Sequence, residues 1–320
     1  MSDNIRLKED AFTSSDGEHR IRYRVWEPDA PRAVMQISHG MCEHIDRYDG
    51  FARELCARGI AVCASDHLGH GKSVNGEDEL GYFGGRGSAS LLADDLELMR
   101  GVMRRRYRRL PYILFGHSLG SFVVRDYLAR YGENLDGAIL CGTSGTNKRI
   151  NAGIAVSSAI CALRGRKHRS TALLKAAFRG YNDGFPGEEG ELAWMTRDPA
   201  VIAGYKADPL CGYCFTAGGF NEMFRLLKSI SGEQWAAKVP QSLPVLIISG
   251  GDDPVGARGA GPEEVYRLLR DSELSDVQLK LYDGMRHEIL TDPEREGPIN
   301  DIAEWTLGVA EGAAEASMLP

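Results

Sequence analysis

Ser118 lies between two glycines in Gly116-His117-Ser118-Leu119-Gly120, a spacing suited to a serine nucleophile. Glycines two residues to either side remove the Cβ atoms that would collide where a strand reverses sharply into a helix. The hydroxyl is then presented on a strained turn. A serine hydroxyl is a weak nucleophile, so it needs a neighbouring base to take its proton and a third group to hold that base. On a strand–turn–helix of this kind the acid and then the base follow the serine along the chain. Of the eight histidines only His287 lies beyond a suitable acid, in Tyr282-Asp283-Gly284-Met285-Arg286-His287-Glu288.

Two adjacent carboxylates compete for the role of acid in Gly251-Asp252-Asp253-Pro254-Val255. Pro254 biases the residue before it toward an extended backbone that projects from a strand end. Asp253 is therefore assigned as the acid, and Asp252 is expected to cap or solvate the turn. The oxyanion formed when an ester carbonyl is attacked needs preorganised backbone N–H donors. One is expected from Leu119, at the start of the helix, where the dipole favours negative charge. The other is expected from Met41 in His39-Gly40-Met41, which follows an early apolar strand; the plainer reading of that segment is a strand-ending turn.

These residues need a scaffold, and the chain alternates strand-like and helix-like segments that can supply it. Strands are predicted at 21–26, 33–38, 60–65, 112–117, 136–141 and 244–249, with another before His287. Helices are predicted near 47–58, 88–107 and 119–131. Such alternation builds a mostly parallel sheet with helices on both faces, an α/β fold. From 145 to 239 the alternation stops, over a stretch too long for a loop. It reads as a helical cap inserted over the carboxyl ends of the strands, where open α/β sheets bind ligands. The expected division is a core of 1–144 and 241–320 with a cap of 145–240.

The cap opens with the small, apolar stretch 152–163, followed by Arg164, Arg166, Lys167, His168 and Arg169. It is too short to span a bilayer. It could rest on an anionic lipid surface, or it could pack within the cap and line an acyl tunnel.

Composition narrows the remaining possibilities. With 320 residues, 43% of them hydrophobic, the chain can bury a large core. A net charge of −7 disfavours general nucleic-acid binding, and the run Arg104 to Arg109 reads as a solvated helix end. No apolar run approaches transmembrane length and Met1–Arg6 is polar, so a cytoplasmic setting is expected, with peripheral membrane contact as an option. Seven irregularly spaced cysteines do not form a disulfide framework. Cys211-Gly212-Tyr213-Cys214 is a lone CxxC pair without a histidine nearby in the sequence, so neither a metal nor any other cofactor is expected.

The segment from His39 to Tyr48 resembles the HGxxEHxxRY motif of monoacylglycerol lipases and bacterial lysophospholipase-like hydrolases, within the α/β-hydrolase superfamily. Asp66-His67-Leu68-Gly69-His70-Gly71-Lys72-Ser73 resembles the DxxGHGxS loop of the same family. The elbow at Ser118, the Gly250–Val255 turn and Arg286-His287-Glu288 follow in the family's order. The resemblance spans roughly residues 10 to 310. It implies an α/β-hydrolase fold and a serine esterase for single-chain acyl lipids such as monoglycerides or lysophospholipids. It also implies that Glu43 and Arg47 lie near the leaving group, although the two could equally form an i,i+4 ion pair. Animal monoglyceride lipases carry a second histidine three residues after the catalytic one, where this chain has Leu290. Alternatives are an acyltransferase or peptidase with the same triad, or an inactive lipid-binding member of the fold.

Overall fold

The strands assemble into one eight-stranded sheet in the computed structural model, which describes residues 5–185 and 187–316. Most of the polar start, Met1–Asn4, lies outside the described residues. In chain order the strands are β1 (Arg6–Thr13), β2 (Arg20–Glu27), β3 (Ala33–Ser38), β4 (Ile60–Ser65), β5 (Tyr112–His117), β6 (Gly137–Cys141), β7 (Val245–Gly250) and β8 (Val277–Tyr282). Their order across the sheet is β1-β2-β4-β3-β5-β6-β7-β8. β1–β2 and β2–β4 are antiparallel and every other pairing is parallel.

The helices are α1 (Asp49–Ala57), α2 (Ala89–Arg106), α3 (Leu119–Tyr131), α4 (Ile150–Arg164), α5 (Thr171–Ala177), α6 (Pro199–Ala207), α7 (Ala217–Ser229), α8 (Glu233–Ala236), α9 (Ala260–Asp271) and α10 (Glu296–Ala316). One core layer joins Leu92, Leu96 and Met99 of α2 to Val123 and Leu128 of α3 and Val265 and Leu269 of α9. The other joins Phe51 and Leu55 of α1 to Ile299 and Ile302 of α10. With both faces covered, β3 to β7 are buried at every position, which is why they read as continuous apolar runs.

β1 is a correction, because the first regular strand was expected at 21–26. Its sequence, RLKEDAFT, is charged and largely exposed, and it shows no core-facing alternation. Pairing with β2 makes it a strand, helped by Glu9, which accepts from Arg24 and from Arg22 across the pair. Such charges also suit a sheet edge by discouraging further strand addition.

Between β6 and β7 the chain leaves the sheet for α4 to α8. α4 packs on α7, where the Asn221 side chain donates to the Ile154 carbonyl at 3.1 Å and to Ser157 Oγ at 2.8 Å. The basic residues after α4 are partly engaged, with Arg166 on Glu222 at 2.9 Å and Lys167 on Asp78 at 2.8 Å. No described helix is long and apolar enough to cross a membrane.

Candidate active site

Ser118 lies between β5 and α3, as the residue that caps α3, with φ 54° and ψ −121°, in a region that non-glycine residues rarely enter. The glycines of the pentapeptide are required by contact. A Cβ on Gly120 would lie 1.9 Å from the Ser38 carbonyl oxygen, and one on Gly116 would lie 2.5 Å from the Gly120 carbonyl oxygen. The strained turn is held from both sides: Ser118 N donates to Cys141 O of β6 at 3.0 Å, and Ser121 N donates to Ser118 O at 2.8 Å.

The β7–α9 turn brings Asp253 to the base. His287 Nδ1 lies 2.9 Å from Asp253 Oδ2, and Ser249 Oγ donates to the same oxygen at 3.3 Å. Val255 N donates to the other oxygen at 2.8 Å. Asp253 is wholly buried and Asp252 is exposed, so only Asp253 can meet His287. With its Nδ1–H donated to a carboxylate, His287 keeps the Nε2 lone pair free to accept a proton. Gly142 follows Cys141, and a Cβ there would stand 3.1 Å from His287 Cε1. The imidazole is therefore packed one residue away from the carbonyl that holds Ser118 N.

The His39–Met41 loop meets Ser118 from β3. A Cβ on Gly40 would approach Ser118 Cβ to 3.3 Å. His39 Nε2 accepts from His67 N at 2.9 Å, so its proton is on Nδ1, which donates to Gly40 O at 2.8 Å. That carbonyl belongs to the same trans peptide as Met41 N–H, so His39 fixes the direction in which Met41 N–H points. Glu43 Oε1 takes the Gly40 N–H on the other side. Among the described residues, neither Met41 N–H nor Leu119 N–H has a protein acceptor.

Glu43 and Arg47 form the i,i+4 ion pair, and it is part of a larger buried network. Arg47 also bonds both oxygens of Glu288, at 2.9 and 2.7 Å, and lies over the Tyr205 ring. Burial acts to lower the Arg47 pKa, but Glu288 and Glu43 outweigh it and hold the guanidinium charged. Glu43 accepts from Tyr48 OH at 2.8 Å. Burial acts to raise the Glu43 pKa, yet Arg47 and His117 hold it well below the usual carboxylate range. Glu43, Arg47, Tyr48 and Glu288 border a cavity of about 290 Å³, together with His117, Leu290 and Thr291.

Sequence reasoning gave no role to His117 or Glu288 and counted Trp194 only among the apolar residues of the cap, some of them expected to line an acyl pocket, yet all three adjoin the site. His117 Nε2 lies 3.4 Å from His287 O, and the Trp194 ring is 5.3 Å from the imidazole of His287. His117 and Glu288 flank the proposed nucleophile and base in sequence, which was the available signal. Nothing in the sequence sets Trp194 apart from the other apolar residues of the cap.

Comparisons with known proteins agree with this architecture. Residues 29–294 match the family model Hydrolase_4, described as serine aminopeptidase, S33. A monoacylglycerol lipase of Mycolicibacterium smegmatis is 32% identical over 91% of this chain and 94% of its own length. The monoglyceride lipase of Homo sapiens is 26% identical over 96% of this chain and 92% of its own. A crystal structure of a thermostable carboxyl esterase from Bacillus coagulans, in complex with glycerol, superposes with a TM-score of 0.89 at 30% identity, covering 95% of this chain and 99% of that one.

Proposed function

This chain belongs to the Hydrolase_4 family and is a carboxylic ester hydrolase, and from that premise we propose that it cleaves single-chain acyl lipids of the monoacylglycerol or lysophospholipid type through an acyl-enzyme. The observation that carries the mechanism is the 2.9 Å contact of His287 with buried Asp253, with that imidazole and a serine held at φ 54° both packed on the Cys141–Gly142 segment.

Ser118 Oγ attacks the acyl carbonyl while His287 Nε2 takes its proton. Asp253 keeps the tautomer and stabilises the imidazolium without accepting the proton itself. The Met41 and Leu119 N–H groups receive the oxyanion. His287 then protonates the leaving alcohol, and water activated by the same nitrogen releases the fatty acid. In this reading α4 to α8 act as a cap over the site. The leaving alcohol would lie toward Glu43 and Arg47, the buried pair whose Glu43 takes the Gly40 N–H beside the Met41 donor. Peripheral lipid contact would fall on α4, which exposes Val156 and Leu163 at 53% and 82%. Binding to anionic liposomes tests that point, and equal sedimentation with and without vesicles at low salt would dismiss it.

The test of the whole is a panel of acyl esters, including monoglycerides, lysophospholipids and aminoacyl amides, with fluorophosphonate labelling. Ser118→Ala is expected to stay folded while losing both label and turnover. More than a few per cent of residual ester hydrolysis in that variant would remove Ser118 from the mechanism.

A further inference from the structure

Cys211 has no histidine near it in the sequence, but the fold brings one to it. Asp208, directly after α6, shapes a turn by accepting Leu210 N on Oδ1 at 2.8 Å. Its Oδ2 lies 2.8 Å from Nε2 of His44, which belongs to the loop after β3, three residues beyond Met41. Cys211 Sγ completes a group in which one ligand atom of each residue lies within 4.8 Å of the other two. Among the described residues this is the one such group of three.

We propose that His44 Nε2, Asp208 Oδ2 and Cys211 Sγ form a binding site for a thiophilic divalent cation of the zinc class. One imidazole, one carboxylate and one thiolate are the donor types that such an ion takes. Tetrahedral zinc with bonds of about 2.0–2.3 Å sets its ligand atoms roughly 3.3–3.6 Å apart. The His44–Asp208 contact would open slightly and the thiol would swing inward, changes within the reach of side-chain rotation.

A second observation points the same way. Nδ1 of His44 is buried and has no hydrogen-bond partner, although Asp46 Oδ2 is 3.8 Å from it. Binding at Nε2 moves the ring proton to Nδ1, where it faces the Asp46 carboxylate. Metal-bound histidines commonly have such an outer partner. The balance is simple: the cation replaces the thiol proton, which leaves to solvent, and the aspartate and thiolate charges neutralise it. The Asp208 side chain is 31% exposed, which gives the ion a route in and leaves a fourth position open to water.

The location gives the site a consequence. Cys42, next to Met41, accepts on its carbonyl from Gly212 N at 3.0 Å and from Tyr205 OH at 3.1 Å. A cation on His44 and Cys211 would therefore clamp the His39–Met41 loop to the segment that follows α6.

The experiment uses full-length protein, treated with EDTA, desalted and titrated with Co2+. One equivalent per chain is expected to bind with an intense near-ultraviolet thiolate-to-cobalt band. Cys211→Ala should lose that band and Cys214→Ala should keep it. Asp208→Asn should weaken binding by about tenfold or more. Zn2+ should displace the cobalt and raise the thermal midpoint of the parent protein but not that of Cys211→Ala. Retained ester hydrolysis by metal-free Cys211→Ala would show that this variant is folded. Cobalt binding without the thiolate band, or a band that survives in Cys211→Ala, would overturn the site.

Discussion

Nδ1 of His287 lies 2.9 Å from Oδ2 of Asp253, inside a pocket where that carboxylate has no exposure to solvent. The hydrogen bond decides which imidazole nitrogen carries the proton, and so which one is free to accept a proton in the proposed mechanism. In Asp253→Asn the amide can donate to Nδ1, which moves the ring proton to Nε2 and blocks acceptance from Ser118. The expected loss in kcat is about 10⁴-fold with folding retained, the scale set by the same change in another serine triad. Asp252→Asn should leave turnover unchanged, because Asp252 is exposed. Steady-state kinetics on a chromogenic ester separates the two. A large loss in Asp252→Asn with little in Asp253→Asn would reassign the acid.

The elbow glycines make a stability prediction with a built-in contrast. Gly120→Ala forces a methyl into the backbone oxygens of Ser38 and His39, at 1.9 and 2.6 Å, and neither can withdraw without moving β3. A loss above about 3 kcal/mol is expected, at the severe end for overpacking. Gly101→Ala, within α2 and with nothing within 4 Å of the added Cβ, should gain about 0.5–1 kcal/mol from helix propensity. Urea unfolding of both variants checks the opposite signs.

The same contrast shows what was legible in the sequence. β3, β5 and β7 could be found because both of their faces are covered, so almost every residue is apolar. β1 could not be found, because its strand character comes from its partner β2 and not from a buried face. Around the site, the glycines and the order of serine, acid and histidine are local signals. The network around them is not local. Arg47 meets Glu288 across 241 positions, and His44 meets Asp208 across 164. An i,i+4 reading of Glu43 and Arg47 finds only the local part of that network.

His39, His67 and His70 predict acid sensitivity. All three are buried, with ring centroids 4.4, 5.2 and 6.1 Å apart. Burial lowers His67 to about 3 and His70 to about 4 and drives His39 well below its ordinary value; neighbouring imidazoles add to the lowering of His67 and His39. They stay neutral in the folded protein while the unfolded chain titrates near 6.5. Below that pH the unfolded state binds more protons, and each of the three contributes a fall of up to about 1.4 kcal/mol per pH unit. His117 and His19 oppose this. Burial acts to lower them, but Glu43 raises His117, and Asp16 and Glu79 raise His19, so both favour the folded state as pH falls. Three against two leaves a net loss, and the thermal midpoint should drop between pH 7 and 5. His70→Gln should flatten that slope. An equal slope in the variant would exclude the cluster as its source.

Arg47 separates recognition of the leaving group from support of the loop. It bonds Glu43 and both oxygens of Glu288, and it belongs to the pair proposed to face the alcohol. Arg47→Lys keeps a charge between the two buried acids, which spares the fold the cost of an uncompensated carboxylate. It loses the planar two-pronged contact, because an ammonium cannot reproduce the guanidinium fork. If the guanidinium steers a glycerol-like group, KM for a monoglyceride should rise about tenfold, equivalent to about 1.4 kcal/mol of binding. KM for p-nitrophenyl acetate, which carries no such group, should hold. Equal losses in kcat on both substrates would instead mean that Arg47 acts through Glu43, whose carboxylate takes the Gly40 N–H beside the proposed oxyanion donor. The ratio of the two specificity constants distinguishes these outcomes even if the variant loses some stability, because unfolding removes active enzyme equally for both substrates.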